Sequence, residues 1–255
     1  MKNIFLLLIS LSTFSVFSQK SNIDYSGGSN FQHRIYAGSQ FPIGIHAGYE
    51  LQYRRLQFAA FVGFTPKPYQ NLVFEILQRI KNDYIDELGY LRDVAQPKIK
   101  FGGELKLVLG NNFSVGGTVQ TFNATLQDTP KRLIKGILPE KLEEINRQID
   151  DFAKQAPDIK NLYENKVIDA YLNSILAGPI IEKTVWLNEN ETIFIKLKAA
   201  YWFVVKREND IISKDFNATE QIGVDYFKPI FLNKIEKVSS KLQAPSFGLE
   251  LGIAF

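Results

Sequence analysis

The sequence predicts an all-β membrane protein, an eight-stranded antiparallel up-and-down transmembrane β-barrel with helical extracellular loops. Eight segments alternate large apolar residues with small or polar ones, as strands do when their two faces meet different surroundings. The connections between these segments are tight and long in strict alternation, which fits consecutive antiparallel strands. Because unpaired backbone groups are costly in lipid, strands span a membrane only as a closed barrel.

The first 30 residues predict export. Residues 1–18 have the pattern of a signal peptide, since Lys2 gives a positive start, an apolar stretch follows, and cleavage is expected between Ser18 and Gln19. A membrane anchor is the alternative, but the segment is shorter than the roughly 20 apolar residues that a spanning helix needs. Residues 19–30 are polar and contain glycine, which predicts a flexible N-terminal leader.

The predicted barrel occupies residues 31–255. Its strands are expected at 33–40, 43–53, 56–64, 98–109, 112–122, 178–187, 192–206 and 246–255. In the seventh strand, for example, Lys196 and Lys198 lie on the face opposite to the large apolar residues. The pattern of the sixth strand leaves open which of its faces points inward, and the even strand count depends on the short first strand.

Two kinds of connection join these strands. Tight connections are predicted at 54–55, 110–111 and 188–191. Long loops are predicted at 67–97, 124–176 and 207–244, and a short link at 39–42 takes the place of a fourth loop at the same end. Apolar stripes at helical spacing predict helices at 69–91, 138–156 and 158–175, and a fourth helix that Pro229 opens. We expect these stripes to pack against each other or against the barrel rim; a groove for a partner is the alternative.

The inward faces carry charge. Eight strands enclose an interior that side chains fill, so we expect a network of ion pairs that plugs the lumen. Glu250 is expected at nearly the height of Lys196 and Lys198, with Arg34 flanking it from the other side. The predicted network consists of Arg34, Glu50, Glu104, Lys106, Lys196, Lys198 and Glu250. Its expected role is structural, and a gated ion path is the alternative.

The sequence offers little to catalysis or to cofactor binding. Its two histidines are His33, near the turn end of its strand, and His46, which is two same-face steps from Glu50. Neither forms a recognisable catalytic group. There is no cysteine and no cluster typical of a metal site, so no metal or cofactor is expected. The net charge of +3 and the lack of a glycine-rich phosphate loop argue against nucleic acid as a partner.

The stretch SFGLELGIAF continues a strand pattern through residue 255. Its apolar residues are Phe247, Leu249, Leu251, Ile253 and Phe255. This pattern resembles the C-terminal signal of bacterial outer-membrane proteins, which the barrel-assembly machinery reads. The whole chain is similar in outline to the small outer-membrane β-barrel family, and its Ser18-Gln19 junction resembles those of Bacteroidota. The resemblance implies an outer-membrane location, contact with outer-membrane lipid, periplasmic turns and long surface loops.

The expected function is that of a non-enzymatic outer-membrane barrel. It would anchor a helical surface module that binds an unknown surface ligand or envelope protein, or that organises the envelope. A porin-like small channel or transporter is one alternative, and an outer-membrane lipid-modifying enzyme is another. A soluble exported β-protein, such as a lipid-carrying barrel, is a third, although a water-exposed wall should not carry so continuous an apolar face.

Overall fold

The computed structural model describes residues 31–41, 44–80, 85–212, 216–239 and 244–255. The predicted signal peptide (1–18) and leader (19–30) lie outside these residues. Within them, nine strands form one antiparallel sheet. The strands are β1 (Phe31–Phe41), β2 (Gly44–Tyr53), β3 (Leu56–Phe64), β4 (Ala95–Pro97), β5 (Lys100–Gly110), β6 (Phe113–Asp128), β7 (Ile168–Trp186), β8 (Ile193–Ile212) and β9 (Ala244–Ala254).

The sheet closes into a barrel with eight strand positions, which confirms the predicted fold. Each long strand pairs with the next long strand in sequence, and β1 pairs with β9 to complete the ring. The short β4 pairs with β6 beyond the end of β5, so β4 and β5 occupy one position in the wall. Among the described residues every long strand has two neighbours, so their part of the barrel wall has no open sheet edge.

Tight turns lie at one end of the barrel, which we call the turn end; the opposite end is the loop end. The first turn is residues 54–55. In the second, Asn111 and Asn112 have φ angles of 47° and 58°. These values lie in the left-handed region that a two-residue hairpin turn requires and that asparagine tolerates. In the third, Oδ1 of Asn188 accepts a hydrogen bond of 3.0 Å from the backbone N–H of Thr192.

The two faces of the wall differ in polarity, as the alternation predicts. Outward side chains are mostly apolar and exposed, with Phe101 60 % and Leu249 56 % accessible. Inward side chains are largely polar or charged and buried, and Glu50, Lys196 and Glu250 have no accessible surface. This polarity is the reverse of that in a water-soluble barrel, where the apolar face is the buried one.

Three neighbouring strands extend beyond the others at the loop end. β6, β7 and β8 contain 16, 19 and 20 residues, whereas β1 contains 11 and β3 contains 9. The predicted loop bounds 124–176 and 207–244 therefore include strand residues. The alternation is lost in these extensions because helices cover one of their faces, so the two faces no longer have the surroundings that they have in the barrel wall.

Six helices lie within the described residues. They are α1 (Lys67–Ile80), α2 (Ile85–Val94), α3 (Pro130–Ile137), α4 (Leu142–Ala153), α5 (Pro157–Asn165) and α6 (Ala218–Ser239), with a 3₁₀ turn at Pro139–Lys141. The helix predicted at 158–175 was too long, because the β6–β7 pairing already begins at Ile168. Pro229 was wrongly placed at a helix start and lies inside α6. No helix in these described segments is long and apolar enough to cross a membrane.

The helices α2 to α6 pack on the extensions of β6, β7 and β8 and form a unit that we call the helical cap. Its apolar core is distinct from the polar barrel lumen. The strands contribute Leu126, Ile168, Ala170 and Ile211 to this core. The helices contribute Leu133, Ile134, Ile137, Ile145, Ile149, Ile159, Leu162, Val224, Phe227, Phe231 and Ile235. Four residues of the predicted stripes, Ile145, Ile149, Phe231 and Ile235, are buried within the cap, whereas Phe152, in the same predicted stripe as Ile145, is 44 % exposed.

Candidate functional site: the barrel lumen

Inward side chains fill the barrel at three heights. Each inward residue has a hydrogen-bonded partner on the next strand, and these partners can be followed from Lys100 on β5 around the whole wall. The path comes back to β5 near Gly110, about ten residues closer to the turn end. Residues at one height are therefore offset by about one residue from strand to strand. The turn-end level contains Gln32, Arg34, Gln52 and Gln57. The central level contains Glu50, Glu104, Lys106, Glu182, Lys196, Lys198 and Glu250. The loop-end level contains Gln40, Lys100, Gln120, Trp202 and Ser246.

Glu50 on β2 binds three cationic side chains. Its Oε1 lies 2.9 Å from Nη1 of Arg34, and its Oε2 lies 2.8 Å from Nζ of Lys106 and 2.6 Å from Nζ of Lys196. These cations come from β1, β5 and β8, so one carboxylate connects four strands of the wall. Because the group is fully buried, its charge depends on these partners for compensation.

Lys106 on β5 lies among three carboxylates. Its ammonium nitrogen is 2.8 Å from Glu50 and 2.9 Å from Glu104, and it also donates to Glu182. Oxygens of these three carboxylates lie within 4.8 Å of one another, a spacing that by itself would suit a cation. Since the lysine ammonium already sits between them, the group is arranged as an ion-pair cluster.

Lys198 extends the network toward β9. It donates to both carboxylate oxygens of Glu104 at 2.9 Å and lies 2.7 Å from Glu250. The nitrogens of Lys196 and Lys198 also lie 5.0 and 4.9 Å from the ring centre of Tyr36, on the side of the ring face. Tyr36 therefore covers the cationic part of the network.

The ion-pair partner of Arg34 differs from the predicted one. The sequence predicts that Arg34 flanks Glu250, but its register partner on β9 is Ala254. Its ion pair is with Glu50, the residue opposite to it on β2. Its guanidinium lies 5.2 Å from the ring centre of Trp186 and 5.7 Å from that of Phe194. Arg34 thus closes the turn end of the lumen between the charged network and two aromatic rings.

Ion pairs connect all seven predicted lumen residues, and the structure adds two members that sequence reasoning missed. Glu182 belongs to the strand whose facing was left open, and it points inward beside Lys106. His46 lies 2.6 Å from Glu250, which is two strands away on β9. Gly38 on the intervening β1 permits this contact, because a Cβ there would lie 2.6 Å from Cγ of Glu250.

The loop-end level is polar but is arranged differently. Nε1 of Trp202 and Nε2 of Gln40 both donate to Oγ of Ser246, at 2.8 and 3.0 Å. Lys100 and Gln120 lie on the opposite wall, on β5 and β6, and both are buried. This level lies between the charged network and the loop end of the barrel.

The C-terminal strand forms the closing pair with β1. The backbone N–H of Phe255 donates to the carbonyl oxygen of His33 at 2.9 Å, and the reverse bond is 3.2 Å. The two rings are stacked with their centres 5.9 Å apart. The side chains of Phe247, Leu249, Leu251, Ile253 and Phe255 all point outward and are exposed. The aromatic and aliphatic residues of the predicted C-terminal signal therefore lie on one continuous outer face.

Comparison with known proteins identifies no family. No protein-family model and no curated protein sequence matches the chain. Among solved structures, the N-terminal β-barrel domain of OprF from Pseudomonas aeruginosa is 9 % identical with a TM-score of 0.32, over 90 % of this chain and 100 % of that one. CarO2 from Acinetobacter baumannii is 6 % identical with a TM-score of 0.35, over 88 % and 98 %. CarO from the same organism is 6 % identical with a TM-score of 0.31, over 88 % and 97 %.

Proposed function

We propose that the chain is an outer-membrane β-barrel that anchors its helical cap at the cell surface. The observation that carries the proposal is the polarity of the closed wall, with an apolar exterior and a buried, ion-paired interior. Inside a membrane this arrangement places each face in a compatible environment. The exterior then contacts outer-membrane lipid, and the tight turns face the periplasm.

The filled lumen supports an anchoring function over transport. Ion pairs between buried side chains link strands across the central level, so an ion would have to displace them in order to pass. A channel is built on the same barrel architecture, and single-channel recording in a planar bilayer separates the two functions. A plugged anchor should give no steady conductance, whereas a stable open level would identify a channel.

The helical cap supports the binding part of the proposal. It has an apolar core of its own and rests on strands that continue past the rest of the barrel rim. A folded unit held in this way suits the capture of a surface ligand or an envelope protein. We propose no catalytic activity, because His46 is committed to Glu250 in the buried lumen.

Export and assembly complete the proposal. The chain would be cleaved near Ser18 and Gln19, and the outward residues of β9 would be recognised by the barrel-assembly machinery, in the manner of Bacteroidota outer-membrane barrels. The N-terminal sequence of the protein recovered from membranes tests the cleavage site. A mature protein that begins far from Gln19 would contradict it.

The first experiment is gel mobility of the detergent-extracted protein with and without boiling. A folded closed barrel in SDS should migrate differently from the boiled chain, and the protein should be recovered with the membrane fraction. Protease added to intact cells should cut within the cap. Recovery in the soluble fraction without a mobility shift would contradict the membrane proposal, and cutting only after permeabilisation would reverse the proposed orientation.

A matched pair of variants tests whether the apolar exterior meets lipid. Leu105 lies on the outer wall beside the central network, and Ile222 lies on the cap; both are well exposed. In lipid vesicles, Leu105→Arg should lower the free energy of unfolding by about 2–4 kcal/mol, the cost of an arginine near the bilayer midplane. Ile222→Arg should cause no comparable loss. Equal effects of the two substitutions would argue against a lipid-facing wall.

A further inference from the structure

We propose that the barrel binds a small apolar molecule with a carboxamide head group in the space between its charged network and the helical cap. The site, which we call the vestibule, is lined by inward residues of β6, β7 and β8. They are Gln120, Phe122, Ser174, Leu176, Trp202 and Val204. The proposal goes beyond the anchoring function, because it concerns the barrel interior and uses neither the cap surface nor the surrounding membrane.

The helical cap lies over the mouth of the barrel. β6 and β7 pair without a register shift along their whole contact, so alternate residues keep the same facing in both strands. Leu126 and Ala170, which belong to the cap core, therefore lie on the same strand faces as the lumen residues Gln120 and Glu182. The cap consequently covers the lumen side of the strand extensions, and the vestibule lies beneath it.

The vestibule exposes apolar side chains, whereas the inward residues of the central level are buried. Phe122 is the next inward residue after Gln120 on β6, and it is 37 % exposed. Ser174, which pairs with Phe122, is also partly exposed, as are the paired Leu176 and Val204. Because these side chains face the interior, the surface that they expose borders a space inside the wall. Apolar surface in such a space favours an apolar occupant over water.

An unpaired amide defines the polar part of the ligand. Gln120 is 2 % exposed, and among the described residues neither its amide nitrogen nor its amide oxygen has a hydrogen-bond partner. Buried polar groups are normally hydrogen-bonded, because desolvation without compensation is costly. A carboxamide donates one hydrogen bond and accepts another, so a single such group satisfies both atoms of Gln120. An ester or a carboxylate only accepts, and it would leave the oxygen of Gln120 unpaired.

The polar and apolar parts of the vestibule are close enough for one small molecule. Successive inward residues of a strand are about 7 Å apart, which is the separation expected between Gln120 and Phe122. On β7, Leu176 is the register partner of Gln120, and Ser174 is that of Phe122. A ligand with a ring beside Phe122 and Leu176 therefore places its head group within reach of the Gln120 amide. An eight-stranded barrel has room for little more than such a molecule.

Trp202 reports on the vestibule. It precedes Val204 on the inward face of β8 and belongs to a buried cluster against which Leu176 packs. Its Nε1 donates a hydrogen bond of 2.8 Å to Oγ of Ser246, which fixes the indole ring. The chain has two tryptophans, and the other, Trp186, lies at the turn end. A Trp186→Phe protein therefore emits from Trp202 alone and serves as the parent for the test.

The test compares two ligands in this parent protein, refolded into lipid vesicles so that no detergent competes for the vestibule. Benzamide combines a ring with a carboxamide, whereas N,N-dimethylbenzamide keeps the ring and the carbonyl oxygen but has no N–H to donate. We expect benzamide to cause a saturable change in Trp202 emission. N,N-dimethylbenzamide should bind about fivefold more weakly, the effect of one lost hydrogen bond. No saturable change with benzamide, or equal affinity for the two ligands, overturns the proposal.

Substitutions locate the site. Gln120→Leu removes the amide, so it should abolish the preference for benzamide while both ligands still bind. Phe122→Ala should weaken both ligands several-fold, because it removes apolar wall. Phe203→Ala, which removes an aromatic from the outer face of β8, is the matched control and should bind as the parent does.

The boiling-dependent gel shift confirms that each variant is folded, and the ligand pair tests the parent without any of these substitutions. A preference for benzamide that persists in Gln120→Leu contradicts the proposed role of the amide. Equal affinities in Phe122→Ala and Phe203→Ala contradict the proposed position of the ligand.

Discussion

Glu50 on β2 and Lys106 on β5 meet inside the barrel from the two strands that flank β3, with 2.8 Å between carboxylate oxygen and ammonium nitrogen and neither group accessible to solvent. Each also binds two further groups of opposite charge, so the pair is the centre of a network that reaches most of the wall. Such groups stabilise the barrel only as a set, because a single buried charge without its partner is strongly unfavourable.

The first prediction concerns this network. Glu50→Gln should lower the free energy of unfolding of the refolded barrel by about 3–5 kcal/mol, because Arg34, Lys106 and Lys196 lose a shared counter-charge. Urea titration followed by tryptophan emission measures the change. The control is Glu144→Gln, which removes an exposed pair with Lys141 on the cap and should leave stability unchanged. If Glu50→Gln is as stable as this control, the network does not hold the barrel together.

The second prediction separates the cap from the barrel. Phe231 is fully buried in the cap core, so Phe231→Ala should destabilise the cap by about 3–5 kcal/mol. The helical circular-dichroism signal should melt at a lower temperature, while the boiling-dependent gel shift of the barrel should persist. Phe152→Ala, which truncates a partly exposed cap aromatic, should change the melting far less. Loss of the gel shift in Phe231→Ala would mean that cap and barrel fold as one unit.

The third prediction tests the C-terminal strand as an assembly signal. In cells, Phe255→Ala should reduce the fraction of protein that reaches the folded, heat-modifiable form. Phe64→Ala removes another well-exposed aromatic, from the end of β3, and should have a smaller effect. Both variants should refold equally well in purified detergent, where no assembly machinery acts. A defect of Phe255→Ala in detergent as well would point to lost contacts with His33 instead of lost recognition.

The fourth prediction concerns acid and the cap. Asp210 on β8 lies 2.6 Å from Lys228 on α6, and the hydrogen bond from that lysine lowers the pKa of the Asp210 carboxyl below its ordinary value of 3.8. A lowered carboxyl pKa contributes stability above the ordinary value, and this contribution is lost as pH falls through the folded-state pKa. Because the pair is largely exposed, the effect should be small.

The helical circular-dichroism signal again provides the measurement. Its melting temperature should fall modestly between neutral pH and strong acid in the parent protein. The matched variant Asp210→Asn should begin at a slightly lower melting temperature and show less of this decline. An identical decline in both proteins would assign the acid sensitivity to other carboxylates of the cap.

Much of the barrel follows from alternation alone. An alternation of apolar and polar residues over ten residues shows that the two faces of a strand meet an apolar and a polar environment. For strands such as 98–109 and 192–206, the sequence therefore predicted both the strand and which of its side chains point into the lumen. The extensions of β6, β7 and β8 were not predicted, because helix packing replaces the environment that creates the pattern. Residues 168–175 consequently resembled a helix, although they pair with both neighbouring strands.

The ion pairs of the lumen could also be predicted only in part from the sequence. Charged residues on inward faces predicted which side chains meet, but not which partner each one takes. Arg34 was matched to the wrong carboxylate because the tilt of the strands shifts height by about one residue at each step. Glu182 was missed because Ile180 and Ile181 beside it are both apolar and hide the facing of β7. The glycine at position 38, which opens the path from Glu250 to His46, was the available signal for that pair.

The β1–β9 pairing has a consequence for the order of folding. Hairpins such as β7–β8 join residues that are close in sequence, whereas the β1–β9 register joins Arg34 to Ala254 at opposite ends of the described chain. Closing so long a loop costs more conformational entropy than closing a hairpin. The β1–β9 contacts offset this loss only once the intervening strands are in place. We therefore expect β1 and β9 to pair last. Until they do, the unpaired edges of these two strands in an unfinished barrel remain accessible to other chains.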